Sequence, residues 1–219
     1  MSRDFNPDLY LVTDRNLSRG RPVREIVEAA VRGGVTMVQL REKDSSAREF
    51  VESARQLKRL LSPAGVPLII NDRVDVALAA GADGVHIGQE DIPFEAAREI
   101  LGPEKIIGLS VESAEDALEA DRLDVDYLGI SPVFLTQTKT ELTRELGLEG
   151  VRKIKSVTSH LLVGIGGLNA SNLADVILAG ADGVAVVSAL CSADDPEEAA
   201  LELSQAIRMS KKERQNETF

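Results

Sequence analysis

Leu68–Ile87 reads LIINDRVDVALAAGADGVHI, and its punctuation decides the architecture. Leu68–Asn71 is a short apolar run that stops at the polar Asn71-Asp72-Arg73. Val74–Ala80 then has the spacing of one apolar helix face, Gly81 ends it, and Asp83-Gly84 leads into a second apolar run, Val85–Ile87. Strand, helix and strand so close together form a unit whose helix carries the chain back, which leaves the two strands parallel. The end of this unit is nearly repeated further on: LAAGADGV (Leu78–Val85) and ILAGADGV (Ile177–Val184) differ little. In each, Gly81 or Gly180 can take the left-handed conformation just past a helix. The spacing of the two strings supports two similar halves, and it assigns Asp83 and Asp182 to structure rather than chemistry.

Working outward, the same alternation fills the chain. Towards the N-terminus, strand Leu9–Thr13 is followed by helix Val23–Arg32. A strand opening the stretch Val35–Asp44 (VTMVQLREKD) leads to helix Ser46–Leu61, with Ser45 or Ser46 as N-cap. Towards the C-terminus come helix Phe94–Leu101, strand Ile106–Leu109, helix Ala114–Ala120, strand Tyr127–Ile130, a long polar loop and helix Leu148–Val157. Strand Leu161–Gly164, helix Leu173–Ala179, strand Gly183–Val187 and helix Pro196–Met209 complete the series, and Ser210–Phe219 reads as a frayed polar tail. Strands and helices alternating eight times define an α/β chain with one domain over 1–219, a closed (β/α)8 or TIM barrel, with an open doubly wound sheet as the runner-up.

Charge and composition narrow the partners. The chain carries 25 Lys+Arg against 36 Asp+Glu, a net charge of −11, which disfavours nucleic acid or an anionic membrane as the main partner. Any anion site must therefore be local. A single cysteine, Cys191, allows no intrachain disulfide and fits a reducing compartment. There is neither a leader-like apolar start nor a spanning apolar run, so a cytoplasmic location is expected. The oligomeric state is left open, with a homo-oligomer allowed.

In a barrel the residues just past each strand carry the chemistry. On an extended strand Gln39, Arg41 and Lys43 share one side, and two cations with an amide suit a diphosphate; the plain alternative is a surface strand whose cations pair with Glu42 and Asp44. Asp72 and Asp91, after the third and fourth strands, are two carboxylates of the kind that hold Mg²⁺ beside phosphates and water; each could also cap a helix, which does not exclude a metal. Ser110 is a donor or another helix-start hydroxyl. The loop Ser131–Gly147 crowds Thr136, Thr138 and Lys139 and has the length of a binding loop. Gly166-Gly167 and Val187-Ser188 follow the seventh and eighth strands, the usual place of a backbone phosphate cradle. His86 reads better as a packed, hydrogen-bonded core residue than as an acid or base, and His160 as a surface residue. Two phosphate sites and a metal suggest the joining of two phosphorylated molecules with diphosphate leaving.

The strings LYLVTDR, GGVTMVQLREKD, LIINDRVDVALAAGADGVHIGQEDIP, IIGLSVESAEDA, ISPVFLTQTKT, VGIGGLNASN and AGADGVAVVSAL together resemble the thiamine-phosphate synthase family over Leu9–Leu190. The resemblance implies a barrel enzyme, a transferase that couples hydroxymethylpyrimidine diphosphate to a thiazole phosphate or its carboxylate. It implies that Gln39, Arg41, Lys43, Asn71, Ser110 and Lys139 bind the pyrimidine diphosphate and that Asp72 and Asp91 hold Mg²⁺. Thr136, Thr138, Gly167, Val187 and Ser188 would meet the thiazole phosphate, and Arg41, Lys43, Ser110 and Lys139 would serve catalysis. It further implies a dissociative path in which diphosphate leaves before the thiazole nitrogen attacks. The segment ELTRELGLEG after Lys139 matches the family loosely. Rival readings are a thiazole tautomerase on the same barrel and a non-enzymatic phosphate-binding regulator.

Overall fold

Short apolar strands pair in chain order and close on themselves. They are β1 Leu9–Val12, β2 Met37–Leu40, β3 Leu68–Asn71, β4 Gly84–Ile87, β5 Ile106–Val111, β6 Tyr127–Ile130, β7 Leu161–Ile165 and β8 Gly183–Val186. Every neighbouring pair is parallel, and β8 returns to pair with β1, so the sheet is a closed barrel and not the open alternative. The structure, a computed structural model, describes residues 4–136 and 145–217. The helices are α1 Val23–Arg32, α2 Ala47–Leu61, α3 Val74–Ala80, α4 Phe94–Leu101, α5 Ala114–Ala120, α6 Gly147–Lys155, α7 Leu173–Leu178, α8 Ser188–Cys191 and α9 Pro196–Glu217. Ser46 caps α2 in a reciprocal box with Glu49, which satisfies two otherwise unpaired amides.

Strand alternation divides the apolar residues into two sets. Leu9, Leu11, Val38, Leu40, Leu68 and Ile70 face outward under the helices. Tyr10, Met37, Ile69, Ile106, Tyr127, Val163 and Ala185 fill the barrel interior. Both sets are essentially removed from water, so the barrel is a packed core whose free rim is its mouth.

The opposite face is tied by a device that recurs at every second strand. Thr36, Asp83, Asp126 and Asp182 each stand immediately before an even-numbered strand. Their side chains accept the amides of Leu9, Leu68, Ile107 and Leu162 on the preceding strands, at 3.0, 2.8, 2.7 and 3.0 Å. Lys58 pairs with Asp83, Arg98 with Asp126, and both Lys155 and Arg214 with Asp182. The structural assignment of Asp83 and Asp182 thus extends to a fourfold pattern of which the repeated string marks half. Asp126→Ala is expected to cost about 2 kcal/mol, because it leaves a buried amide and a largely buried guanidinium without their shared acceptor. Chemical denaturation reads this as a lower midpoint at unchanged slope; an unaltered midpoint would show the tie to be idle.

Some expected boundaries shift. The tail from Ser210 does not fray at once: α9 continues to Glu217. Its polar residues are used, since Lys211 pairs with Asp8 and the Arg214 guanidinium donates to the Ile177 and Ala181 carbonyls at the end of α7 and beyond. Ser110 lies on β5 rather than after it, because β5 pairs with β6 through Val111. The short helix α8 intervenes before the last long helix, which the sequence pattern did not separate. No helix among the described residues is long and apolar enough to cross a membrane.

Candidate active site

β2 ends at Leu40, so of the three residues expected on one side only Gln39 lies on the strand itself. Gln39 is buried inside the barrel, where its amide nitrogen donates to the Tyr10 hydroxyl at 2.8 Å. Arg41 follows the strand. Its backbone amide donates to Thr13 Oγ1, and its guanidinium pairs with Asp14 at 3.1 Å, both side chains nearly enclosed. Lys43 is exposed and makes no ion pair among the described residues. Arg41 and Lys43 line one cleft of roughly 600 Å³ with Arg15 and the carboxylates of Asp14, Glu42, Asp44, Glu49 and Glu52; Asp72 and Asp91 do not line it. The alternative pairing of these cations with Glu42 and Asp44 is not what forms: Arg41 pairs with Asp14, and Glu42 takes Arg15 in a two-point bond, which raises the Arg15 pKa. Asp14 and Glu42 thereby fix two guanidinium groups at the rim, where an incoming polyanion would meet them without further ordering.

The third and fourth strand tips bring the two carboxylates onto neighbouring strands. Asn71 is the last residue of β3 and donates from its side chain to Asp72 Oδ2. Asp72 has φ +62°, a left-handed conformation that a side chain normally avoids, and its amide donates to the His86 carbonyl on β4 at 2.8 Å. Such an outlier at a strand tip marks a position where geometry is imposed. Asp72 is not the cap of α3, because Arg73 precedes that helix and no side chain caps it. Asp91 does not cap α4 either; its Oδ2 accepts the Gly88 amide at 2.7 Å and closes the turn after β4. Both carboxylates are exposed at the mouth. Among the described residues no group of three or more His, Cys, Asp or Glu side chains could hold a metal. Two carboxylates completed by phosphate oxygens and water are the donor set that suits Mg²⁺, so these residues fit that ion.

Across the mouth, Gly166 and Gly167 have φ +107° and +62°. A Cβ on Gly166 would lie 2.8 Å from Pro132 Cβ, and one on Gly167 2.8 Å from the Leu135 carbonyl oxygen, so the loop after β6 lies directly on this glycine pair. Among the described residues the amides of Gly167, Val187 and Ser188 donate to no carbonyl, which leaves them available to an anion. Thr136 ends the described part of that loop; Thr138 and Lys139 lie outside the described residues.

Between the two sides, the floor of the mouth is a continuous set of hydrogen bonds that the strand pattern did not reveal. The chain's two tyrosines, Tyr10 and Tyr127, meet hydroxyl to hydroxyl at 3.0 Å. The Tyr127 hydroxyl lies 3.0 Å from His86 Nδ1, and His86 Nε2 lies 2.9 Å from Ser110 Oγ. Burial raises both phenol pKa values above their ordinary range, so both remain protonated at neutral pH. His86 is thus the hydrogen-bonded residue expected, and Gln89 braces the same corner by donating to the Ser110 carbonyl. The available signal was composition: two tyrosines, each on an inward strand position. His160, by contrast, lies away from the mouth below β7, its ring largely enclosed against the Ala120 carbonyl rather than out on the surface.

A closed parallel barrel with anchored guanidinium groups, two carboxylates after neighbouring strands and bare amides at its strand tips belongs to the class of (β/α)8 proteins that handle phosphorylated small molecules. The family model described as thiamine monophosphate synthase matches residues 9–190. The chain is 56% identical over 199 residues to a thiamine-phosphate synthase of Albidiferax ferrireducens, covering 91% of each. It is 50% identical over 202 residues to one of Chloroflexus aurantiacus, covering 92% of this chain and 93% of that protein. A solved structure named thiamine phosphate pyrophosphorylase, from Pyrococcus furiosus, superposes with TM-score 0.86 at 42% identity, covering 94% and 97% of the two chains. The chain belongs to the thiamine monophosphate synthase family.

Proposed function

We propose that the chain is a thiamine-phosphate synthase, a transferase joining hydroxymethylpyrimidine diphosphate to thiazole phosphate or its carboxylate with release of diphosphate, and of CO2 as well when the carboxylate is the acceptor. The observation that carries the reading is the division of the mouth between charged side chains after β2 to β4 and amides without a carbonyl partner among the described residues after β7 and β8. Anchored Arg41 with Lys43 after β2, and the carboxylates Asp72 and Asp91 after β3 and β4, follow consecutive strands of the barrel. The amides of Gly167, Val187 and Ser188 follow β7 and β8.

In this reading Gln39, Asn71 and Ser110 orient the pyrimidine, and Arg41, Lys43 and Lys139 face its diphosphate. Asp72 and Asp91 would hold Mg²⁺, which when bound neutralises charge growing on the leaving diphosphate. Thr136, Thr138 and the three amides hold the thiazole phosphate so that its ring nitrogen faces the pyrimidine methylene. The C–O bond to diphosphate breaks with its electron pair going to the leaving oxygen, and the nitrogen lone pair then forms the new C–N bond. No protein nucleophile is needed, so the residues act by positioning and by placing positive charge where negative charge develops.

The test is direct. Purified protein with Mg²⁺ and both substrates should release diphosphate and form thiamine phosphate in equal amounts. Isomerisation of a thiazole carboxylate without coupling would favour the tautomerase, and phosphate binding without turnover the regulator. The working location is the cytoplasm.

A further inference from the structure

The floor of the mouth has a direction. Gln39 presents its amide nitrogen, a donor only, to the Tyr10 hydroxyl. The Tyr10 proton then has the Tyr127 oxygen as its acceptor at 3.0 Å, and the Tyr127 proton has His86 Nδ1 at 3.0 Å. With that amide nitrogen on Tyr10, the reverse order would leave the buried Tyr10 hydroxyl proton unsatisfied, since both tyrosines are essentially excluded from water. With Nδ1 accepting, a neutral His86 must carry its proton on Nε2, which donates to Ser110 Oγ at 2.9 Å. Ser110 therefore accepts from His86 through one lone pair and keeps its own proton for a ligand.

We propose that Tyr10, Tyr127 and His86 are positioning residues that make the Ser110 hydroxyl a hydrogen-bond donor towards the pyrimidine, with its polarity set from Gln39 on the far side of the barrel. The part concerning the pyrimidine rests on the proposed function; the polarity of the hydrogen-bonded row does not. Strand register makes the row feasible. Gly108 lies between His86 and Tyr127 in the ladder, and its missing side chain lets the two rings stack with centroids 5.4 Å apart. The same row explains why two phenols and an imidazole occupy an interior that apolar residues fill elsewhere. They span the barrel from β2 to β5 as a rigid bridge, with each internal link satisfied.

Two measurements test this separately. The chain has two histidines, so long-range ¹H–¹⁵N correlation can assign the His86 ring. The Nε2–H tautomer is expected in the unliganded protein and a mixture in Tyr127→Phe. A native Nδ1–H tautomer would overturn the polarity, whatever the enzyme does. Steady-state kinetics then test the link to substrate. Tyr127→Phe should lower kcat/KM for pyrimidine diphosphate about tenfold, the loss of one oriented hydrogen bond, and leave the KM for thiazole phosphate unchanged. In a Ser110→Ala background it should have little further effect. Additive losses, or equal losses for both substrates, would overturn the positioning role. If Ser110→Ala turns over normally, the assignment of Ser110 itself fails while the tautomer result still stands. Should Tyr127→Phe fold poorly, His86→Gln, which can still donate to Ser110, should retain more activity than His86→Leu; equal losses would overturn the proposal.

Discussion

Asp91→Asn is expected to reduce kcat/KM for coupling by about 10²- to 10³-fold, roughly 3–4 kcal/mol of lost transition-state stabilisation. The substitution is chosen from the geometry. Asp91 Oδ2 closes the turn after β4 by accepting the Gly88 amide, and an asparagine oxygen can accept the same bond. The turn is therefore kept while one of two negative charges offered to Mg²⁺ is removed. Asp91→Ala would remove the turn contact as well and confuse the two effects. Because the residue is exposed at the mouth, thermal stability should change by no more than about 0.5 kcal/mol. Raising Mg²⁺ should recover part of the lost rate, since the defect is one of affinity for the ion together with diphosphate. Asp72→Asn should behave alike, because asparagine tolerates the left-handed backbone that Asp72 adopts at φ +62°. Normal turnover by both variants at low Mg²⁺ would remove these two carboxylates from the metal assignment.

How much of this could be read in advance depended on whether the signal was local. Strand and helix alternation is local, and the eight βα units were legible from apolar runs and from glycines such as Gly81. The repeated string exposed Asp83 and Asp182, but Asp126 does the same work within LDVDYLG and Thr36 within GVTMV, where no shared letters announce it. The functional residues at strand tips were legible because a barrel dictates where to look. Their partners were not. Arg41 is held by Asp14 on the neighbouring strand's loop, and Gln39 by Tyr10, contacts set by register between strands rather than by spacing within one. Arg41 and Lys43 lie past Leu40, beyond the end of β2, so strand alternation alone does not place them. The α9 extension was misread because Lys211 and Arg214 look like tail residues until Asp8 and the carbonyls near α7 are beside them.

A glycine supplies the sharpest test of the interior. Gly108 sits within β5 without an unusual backbone, so nothing in its local conformation requires glycine. A methyl there would lie 2.1 Å from Tyr127 Cζ and 2.5 Å from His86 Nδ1, well inside contact distance. Tyr127 has little room to retreat, because Phe5 and Tyr10 pack on its other sides with ring centroids 5.9 and 6.0 Å away. Gly108→Ala is accordingly expected to cost about 4 kcal/mol, above the usual penalty for one added methyl because both neighbours are large and hydrogen-bonded. For a chain of this size that lowers the melting temperature by about 10 °C. Adding Tyr127→Val should restore much of that stability by vacating the space the methyl needs. It should not restore activity, because it leaves His86 Nδ1 without the hydroxyl that orients it. Recovery of both together would mean that the interior rings serve only to fill the barrel, and an undiminished melting temperature in Gly108→Ala would mean that His86 and Tyr127 do not meet across β5 at all.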